Sequence, residues 1–221
     1  MLQLITSADG SHTLLNTEMN ETYHSTKGAL QESIHVFIKS GLELFSKKEQ
    51  VSILEIGFGT GLNALLTLEY AMNHQEKIAY TTLEPFPVDF SLVEQMNYPE
   101  LMQSSELKNA FEAMHLLAFG QREKYNVYFT FIKEKQKLEE YPITPDVFDL
   151  IYYDAFAPSK QPEVWDVENM RKCYTGLKQG GILVSYCASG QFKRNLKEVG
   201  FTVETLEGPP GKKEMTRASK L

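Results

Sequence analysis

The chain has 221 residues, 42% of them hydrophobic and 23% charged, with a formal net charge of −7; this suits one well-filled core and excludes intrinsic disorder. No apolar run reaches the roughly 18–20 residues of a membrane span, and the start Met1-Leu2-Gln3-Leu4-Ile5-Thr6 has neither a basic opening nor a long apolar stretch, which argues against a secretion signal and for the cytoplasm. Cys173 and Cys187 lack Cys-x-x-Cys or zinc-finger spacing, so they read as buried small hydrophobes, and no metal site is expected.

After a polar opening, Leu30, Ile34, Phe37, Ile38, Leu42 and Phe45 recur at helical spacing and predict one helix over 27–45. Val51 to Ile56 is a β-branched run leading into glycines, a buried first strand. Leu62 to Met72 reads as a helix and Ile78 to Leu83 as a second strand, stopped at Glu84-Pro85. Val88 to Phe119 is mainly helical, broken near Tyr98-Pro99. Tyr125 to Ile132 and Val147 to Tyr153 are the third and fourth strands. Val164 to Leu177 is helical and is expected to end at Gly180-Gly181, followed by a fifth strand to Tyr186. A helix over 191–199 and strands over 201–206 and 214–218 complete the chain. Alternation of strands and helices predicts an α/β fold, a mostly parallel seven-stranded sheet with helices on both faces. No repeat, low-complexity tract or linker marks a second domain. Ligands of such sheets bind beyond the carboxyl ends of the strands, which directs attention to Glu55–Gly61, Glu84, Asp154 and the segment after Tyr186.

Gly57, Gly59 and Gly61 follow the first strand and open a helix, where glycine permits positive φ and close approach of backbone amides to a ligand. Leu62 stands where the dinucleotide fingerprint needs its third glycine. The spacing, with Glu55 two residues before Gly57, resembles the cofactor loop of class I (Rossmann-like) methyltransferases dependent on S-adenosyl-L-methionine (SAM). SAM is cationic at sulfur and has no pyrophosphate, so a nearby carboxylate suits it. Glu84, at the tip of the second strand, is expected to accept from both ribose hydroxyls.

The most distinctive passage follows the fourth strand: Asp154-Ala155-Phe156-Ala157-Pro158-Ser159-Lys160-Gln161-Pro162-Glu163-Val164-Trp165. With Gly208-Pro209-Pro210-Gly211-Lys212-Lys213-Glu214-Met215 and Tyr23-His24-Ser25 ahead of Gly28, Ala29 and Glu32, it resembles the family formed by the methyltransferase domain of the tRNA wobble-uridine-modifying enzyme MnmC and its stand-alone counterpart MnmD. The matches span roughly residues 20–218. The resemblance implies one domain over 1–221, with an N-terminal extension of about 48 residues covering the active site. It implies methyl transfer from SAM to the 5-aminomethyl group of a (2-thio)uridine at the wobble position of a tRNA anticodon loop. The flavin oxidoreductase domain of bifunctional relatives is not expected here, so the methylation step alone would be carried out.

The same resemblance assigns roles. Glu55, Gly57, Phe58, Gly59, Thr60, Gly61, Asn63, Glu84, Asp154, Ala155 and Phe156 are expected to hold the cofactor. Asp154 is the expected catalytic residue, orienting the acceptor amine for in-line displacement, with proton loss to water as an adequate alternative to a dedicated base. Tyr23, His24, Phe156, Pro158, Lys160, Trp165, Lys212 and Lys213 are the expected substrate contacts, the aromatics as stacking platforms and the lysines on phosphates. Two alternatives stay open for single residues: Trp165 as core and His24 as structural. Many class I methyltransferases carry an Asp after the third strand for adenine. Here Phe131-Ile132-Lys133-Glu134-Lys135 leaves Glu134 or a backbone contact.

Charge qualifies the partner. Residues 160–221 hold 11 Lys and Arg against 7 Asp and Glu, so the acidic total conceals a basic C-terminal third. The plainer reading makes Lys193, Arg194 and Lys197 the solvated face of a helix. Rival functions are a small-molecule amine methyl- or aminopropyltransferase, and a degenerate SAM-fold RNA-binding protein. The basic pair Lys212-Lys213 counts against the former, and the intact glycines, Glu84 and Asp154 against the latter.

Overall fold

The polar opening of the chain is itself folded. In the computed structural model, which describes residues 1–221, β1 (Leu2–Thr6), β2 (His12–Asn16) and β3 (Glu21–Thr22) form a separate antiparallel sheet. Its first turn is tied by Asp9, whose Oδ1 accepts from Ser7 Oγ at 2.7 Å and from Ser11 N at 3.1 Å, an Asx-type closure. The helix expected over 27–45 divides into α1 (Ala29–Ser33), a π-helical stretch (Ile34–Lys39) and a 3-10 turn (Leu42–Phe45). Gly41 marks the break: a Cβ there would lie 2.6 Å from the Phe37 carbonyl oxygen. The apolar stripe is still buried, with Phe37, Ile38 and Leu42 inside.

The main sheet is built from β4 (Gln50–Ile56), β5 (Lys77–Leu83), β6 (Arg122–Lys124), β7 (Phe129–Glu134), β8 (Phe148–Tyr153), β9 (Leu177–Ser185), β10 (Thr202–Glu207) and β11 (Glu214–Ser219). Its order is β10-β11-β9-β8-β4-β5-β7-β6. The five central strands from β9 to β7 run parallel, and β10, β11 and β6 add antiparallel edges. Seven strands were expected and eight form. The addition is β6, because Asn126 Oδ1 accepts from Tyr128 N and Phe129 N and folds Tyr125–Tyr128 into a hairpin turn. Gly180 and Gly181 do not stop a helix. They lie within β9, where Gly180 donates to Lys220 O at 2.7 Å and Lys220 donates back to Gly181 O at 3.0 Å.

Between the strands lie α2 (Leu62–His74), α3 (Phe90–Val93), α4 (Tyr98–Leu101), α5 (Ser105–Leu116), α6 (Val167–Gly176) and α7 (Gly190–Glu198). The N-terminal segment, α2 and α5 cover one face of the sheet. Helices α6 and α7 cover the other. Strand β8, walled on both sides, is buried at every position. No helix is long and apolar enough to cross a membrane. Strand order reverses between β4 and β8, and the chain leaves the carboxyl ends of β4, β5 and β8 as Gly57, Glu84 and Asp154. That crevice is where such a fold takes a ligand.

Candidate active site

At the crevice lies a cavity of about 330 Å³ whose walls include Gly57, Phe58, Gly59, Glu84, Asp154, Ala155 and Phe156, within the range of small-molecule sites. The glycine turn is shaped by close approach. Gly57 has φ +93°, and a Cβ on it would sit 2.7 Å from the Asp154 carbonyl oxygen. At Gly59, φ +52°, a Cβ would press on the Tyr23 ring at 3.0 Å. Gly59 N donates to Glu84 Oε2 at 2.8 Å, and Phe86 N to Glu84 Oε1 at 2.7 Å. Burial raises the Glu84 pKa, while these amides and the Lys133 ammonium pull it back.

Four residues expected on the cofactor do not reach the cavity. Thr60 is fully buried, its Oγ1 2.9 Å from His24 Nε2 and accepting from Tyr98 OH at 3.1 Å. Gly61 faces His115. Asn63 Nδ2 donates to Asp154 Oδ2 at 2.8 Å, so it holds the candidate catalytic carboxylate. Glu55 lies fully buried on the sheet beneath the turn, with neither carboxyl oxygen in a hydrogen bond. Burial pushes it up to about 8, Asp154 adds to the rise, and Thr82, Asn63 and Tyr80 oppose it. It is therefore a neutral acid at pH 7. The folded state then holds a proton that the unfolded chain releases near pH 4.5, so this group's contribution to stability falls as pH rises from about 4.5 to 8. Glu55→Gln is expected to flatten that decline and to stabilise the protein at pH 8 by on the order of 1–2 kcal/mol, read by urea denaturation across the range.

Asp154 lines the cavity. Burial pushes its carboxyl up to about 7, Glu32 adds to the rise, and the Asn63 amide and Lys212 oppose it. The Phe156 ring meets Tyr23 edge-on, centroids 4.9 Å apart. His24 borders the cavity but is buried against Thr60; desolvation lowers it to about 4, which keeps it neutral. Trp165 is not a platform for a base. Its ring is 3% exposed, packed on Tyr153 and Phe192, and Nε1 donates to Phe156 O at 2.8 Å. It holds the loop that carries Phe156. Trp165→Ala is expected to cost about 3–5 kcal/mol of stability, whereas Phe156→Ala should leave the denaturation midpoint nearly unchanged and weaken acceptor binding.

The expected phosphate contacts separate. Lys212 is turned into the cavity wall and pairs with Glu32 at 2.7 Å, which removes it from the exposed set. Lys213 is exposed, and Pro158 and Lys160 are half-exposed on the loop beyond Phe156, outside the cavity. On α7, Arg194 and Lys197 are exposed, as expected of a solvated helix face, whereas Lys193 is drawn against the sheet, donating to Thr205 Oγ1 and pairing with Glu214. Sequence reasoning missed Glu32, Tyr186, Phe86 and the Gln136–Leu138 segment as cavity residues. Gln136 follows β7 and buries an Oε1 without a partner in the cavity wall, whereas Glu134 stays outside. Gln136 lies one residue beyond the Phe131–Lys135 stretch considered for the adenine end.

Comparison with known proteins shows the family. A family model described as S-adenosyl-L-methionine-dependent methyltransferase matches residues 97–221, more than half of the chain. The tRNA 5-methylaminomethyl-2-thiouridine biosynthesis bifunctional protein MnmC of Cupriavidus necator is 31% identical over 213 residues, covering 90% of this chain and 32% of that protein. Its namesake from Actinobacillus pleuropneumoniae serotype 5b is 26% identical over 233 residues, covering 97% and 34%. The chain thus spans about a third of the length of these curated relatives. Among solved structures, MNMC2 from Aquifex aeolicus superposes with a TM-score of 0.79 at 22% identity, covering 99% of this chain and 70% of that one.

Proposed function

Because the chain belongs to the S-adenosyl-L-methionine-dependent methyltransferase family, we propose that it methylates the 5-aminomethyl group of a (2-thio)uridine at the wobble position of a tRNA anticodon loop, in the cytoplasm. SAM is the family's cofactor, and when bound it supplies a methyl group on a sulfonium. The residues suit it: two glycines at positions where any Cβ would collide with the crevice wall, a carboxylate at the second strand end, and an unpartnered amide oxygen after the third parallel strand. Glu84 would accept from the ribose hydroxyls and Gln136 Oε1 from the adenine amino group.

One observation carries the acceptor assignment. Asp154 lines one cavity together with the glycine turn and with Phe156, Tyr186, Glu32 and Lys212, the last two near enough to act on its carboxyl. A carboxylate there can accept N–H bonds of an amine and leave its lone pair aimed along the methyl transfer axis. Alignment of this kind supplies on the order of 7–11 kcal/mol. Its carboxyl is raised to about 7 when no sulfonium is present, so once the methyl has left sulfur and the cofactor is a neutral thioether, Asp154 can take up the proton of the alkylated amine.

The test is incubation with labelled SAM and tRNA from a strain lacking the activity, followed by nucleoside analysis. Label in 5-methylaminomethyl-uridine is expected. Label only in a diffusible amine would transfer the protein to the small-molecule reading. For the adenine end, Gln136→Leu is expected to weaken SAM binding about tenfold in calorimetry, the loss of one hydrogen bond. The same substitution should leave the affinity for the S-inosyl analogue, which lacks the amino group, almost unchanged.

A further inference from the structure

The cavity is bordered by an ion pair that methyl transfer itself does not require. Glu32 on α1 and Lys212, in the loop before β11, meet across 180 residues of sequence with Nζ and Oε2 2.7 Å apart. Glu32 is 5% exposed, and its Oε1 accepts from Ser25 N at 2.9 Å. Lys212 Nζ stands 3.8 Å from the centroid of the Tyr186 ring, and the Tyr186 hydroxyl donates to Ala155 O at 2.8 Å. Both charged groups border the same cavity as Asp154. Stability explains such a pair poorly: its carboxylate is buried and its lysine side chain only partly exposed, and an apolar pair of similar volume serves as well or better at a buried site.

Its hydrogen-bonding capacity is not exhausted. A carboxylate offers about four lone-pair sites and an ammonium three N–H donors, and each partner here has spent only part of its set. The wall therefore presents an acceptor and a donor side by side. Uracil presents the complement on its Watson–Crick edge, the N3–H donor beside the O4 acceptor, while cytosine reverses both polarities. Bases of single-stranded RNA loops are read on that edge.

We propose that Glu32 and Lys212 read the acceptor base, Glu32 accepting from N3–H and Lys212 donating to O4, so that uracil is selected over cytosine. O4 is carried on C4, the ring neighbour of C5, so a base held this way keeps its C5 substituent beside the O4 contact and within the cavity that Asp154 also lines. This rests on the function proposed above.

The test uses the intact protein and three anticodon stem-loop RNAs that differ only at the wobble position. One carries 5-aminomethyl-uridine, one its N3-methyl derivative and one 5-aminomethyl-cytidine. The uridine RNA is expected to exceed the other two in kcat/KM by about 10³-fold, as for a site built to hydrogen-bond its substrate. Glu32→Gln and Lys212→Met should each shrink the uridine-to-cytidine ratio to about tenfold or less, with SAM affinity in calorimetry within about threefold of wild type. Equal turnover of uridine and cytidine RNAs by the wild type would overturn the edge reading and leave the proposed function standing. Variants that lose rate but keep the wild-type ratio would overturn it too, showing only a structural pair. Transfer to none of the three RNAs would overturn the function on which the proposal rests.

Discussion

Asp154→Asn is expected to lower kcat/KM for the RNA acceptor by about 10²–10⁴-fold, the range lost when a positioned proton-transfer group is removed, while the fold survives. Asparagine keeps the volume and can still accept from Asn63 Nδ2, the one side-chain bond that Asp154 makes. What disappears is the charge and its titration. Burial holds the wild-type carboxyl at about 7, so near neutral pH much of it is protonated before a cation arrives. A sulfonium favours the ionised form. Binding SAM should therefore release a proton from Asp154, and wild-type affinity for SAM should rise with pH from about 6 to 8, the window set by that raised pKa. Asparagine has nothing to release, so the variant's affinity should be flat across that window. Calorimetry in buffers of different ionisation enthalpy reads the proton directly. Unchanged turnover in the variant would remove Asp154 from the mechanism, and an equally steep affinity profile would assign the proton to another group.

The parts of the site legible in the sequence are those fixed by strand ends. A buried strand in a doubly covered sheet can emerge only at the crevice, so Gly57, Glu84 and Asp154 converge on one cavity by topology alone. Side-chain direction within a turn is not legible in the same way. Glu55, Thr60 and Asn63 flank the glycines in sequence, yet each is committed to the interior, beneath the turn or against its neighbours. Phe156 and Trp165 lie on one loop, and only packing against Tyr153 and Phe192 decides which aromatic turns inward. Lys212 and Lys213 are adjacent and chemically identical. A buried Glu32 nearly the whole chain away determines that one enters the cavity while the other is left exposed. The N-terminal sheet escaped notice because its strands are short and half-buried, without the continuous apolar run that marked β4 and β8.

Glu84→Gln should raise the dissociation constant for SAM at least about 100-fold, with a smaller fall in kcat at saturating cofactor. The two oxygens of Glu84 already accept from Gly59 N and Phe86 N. Each oxygen retains capacity for a ribose hydroxyl, and bonds to a charged acceptor contribute about 1.5–3 kcal/mol. Glutamine removes the charge and also turns an N–H₂ toward one of the two backbone amides, setting donor against donor. The turn that carries Gly59 should then loosen, and the Gly59 amide should exchange with solvent faster even without cofactor. This separates the two roles of the side chain. If Glu84 served only to hold the turn, amide exchange would quicken while the affinities for SAM and for a 2′,3′-dideoxyribose analogue fell alike. If it also binds the ribose, the variant should lose affinity for SAM and lose almost none for the dideoxy analogue. A dissociation constant for SAM within threefold of wild type would take Glu84 out of the cofactor site.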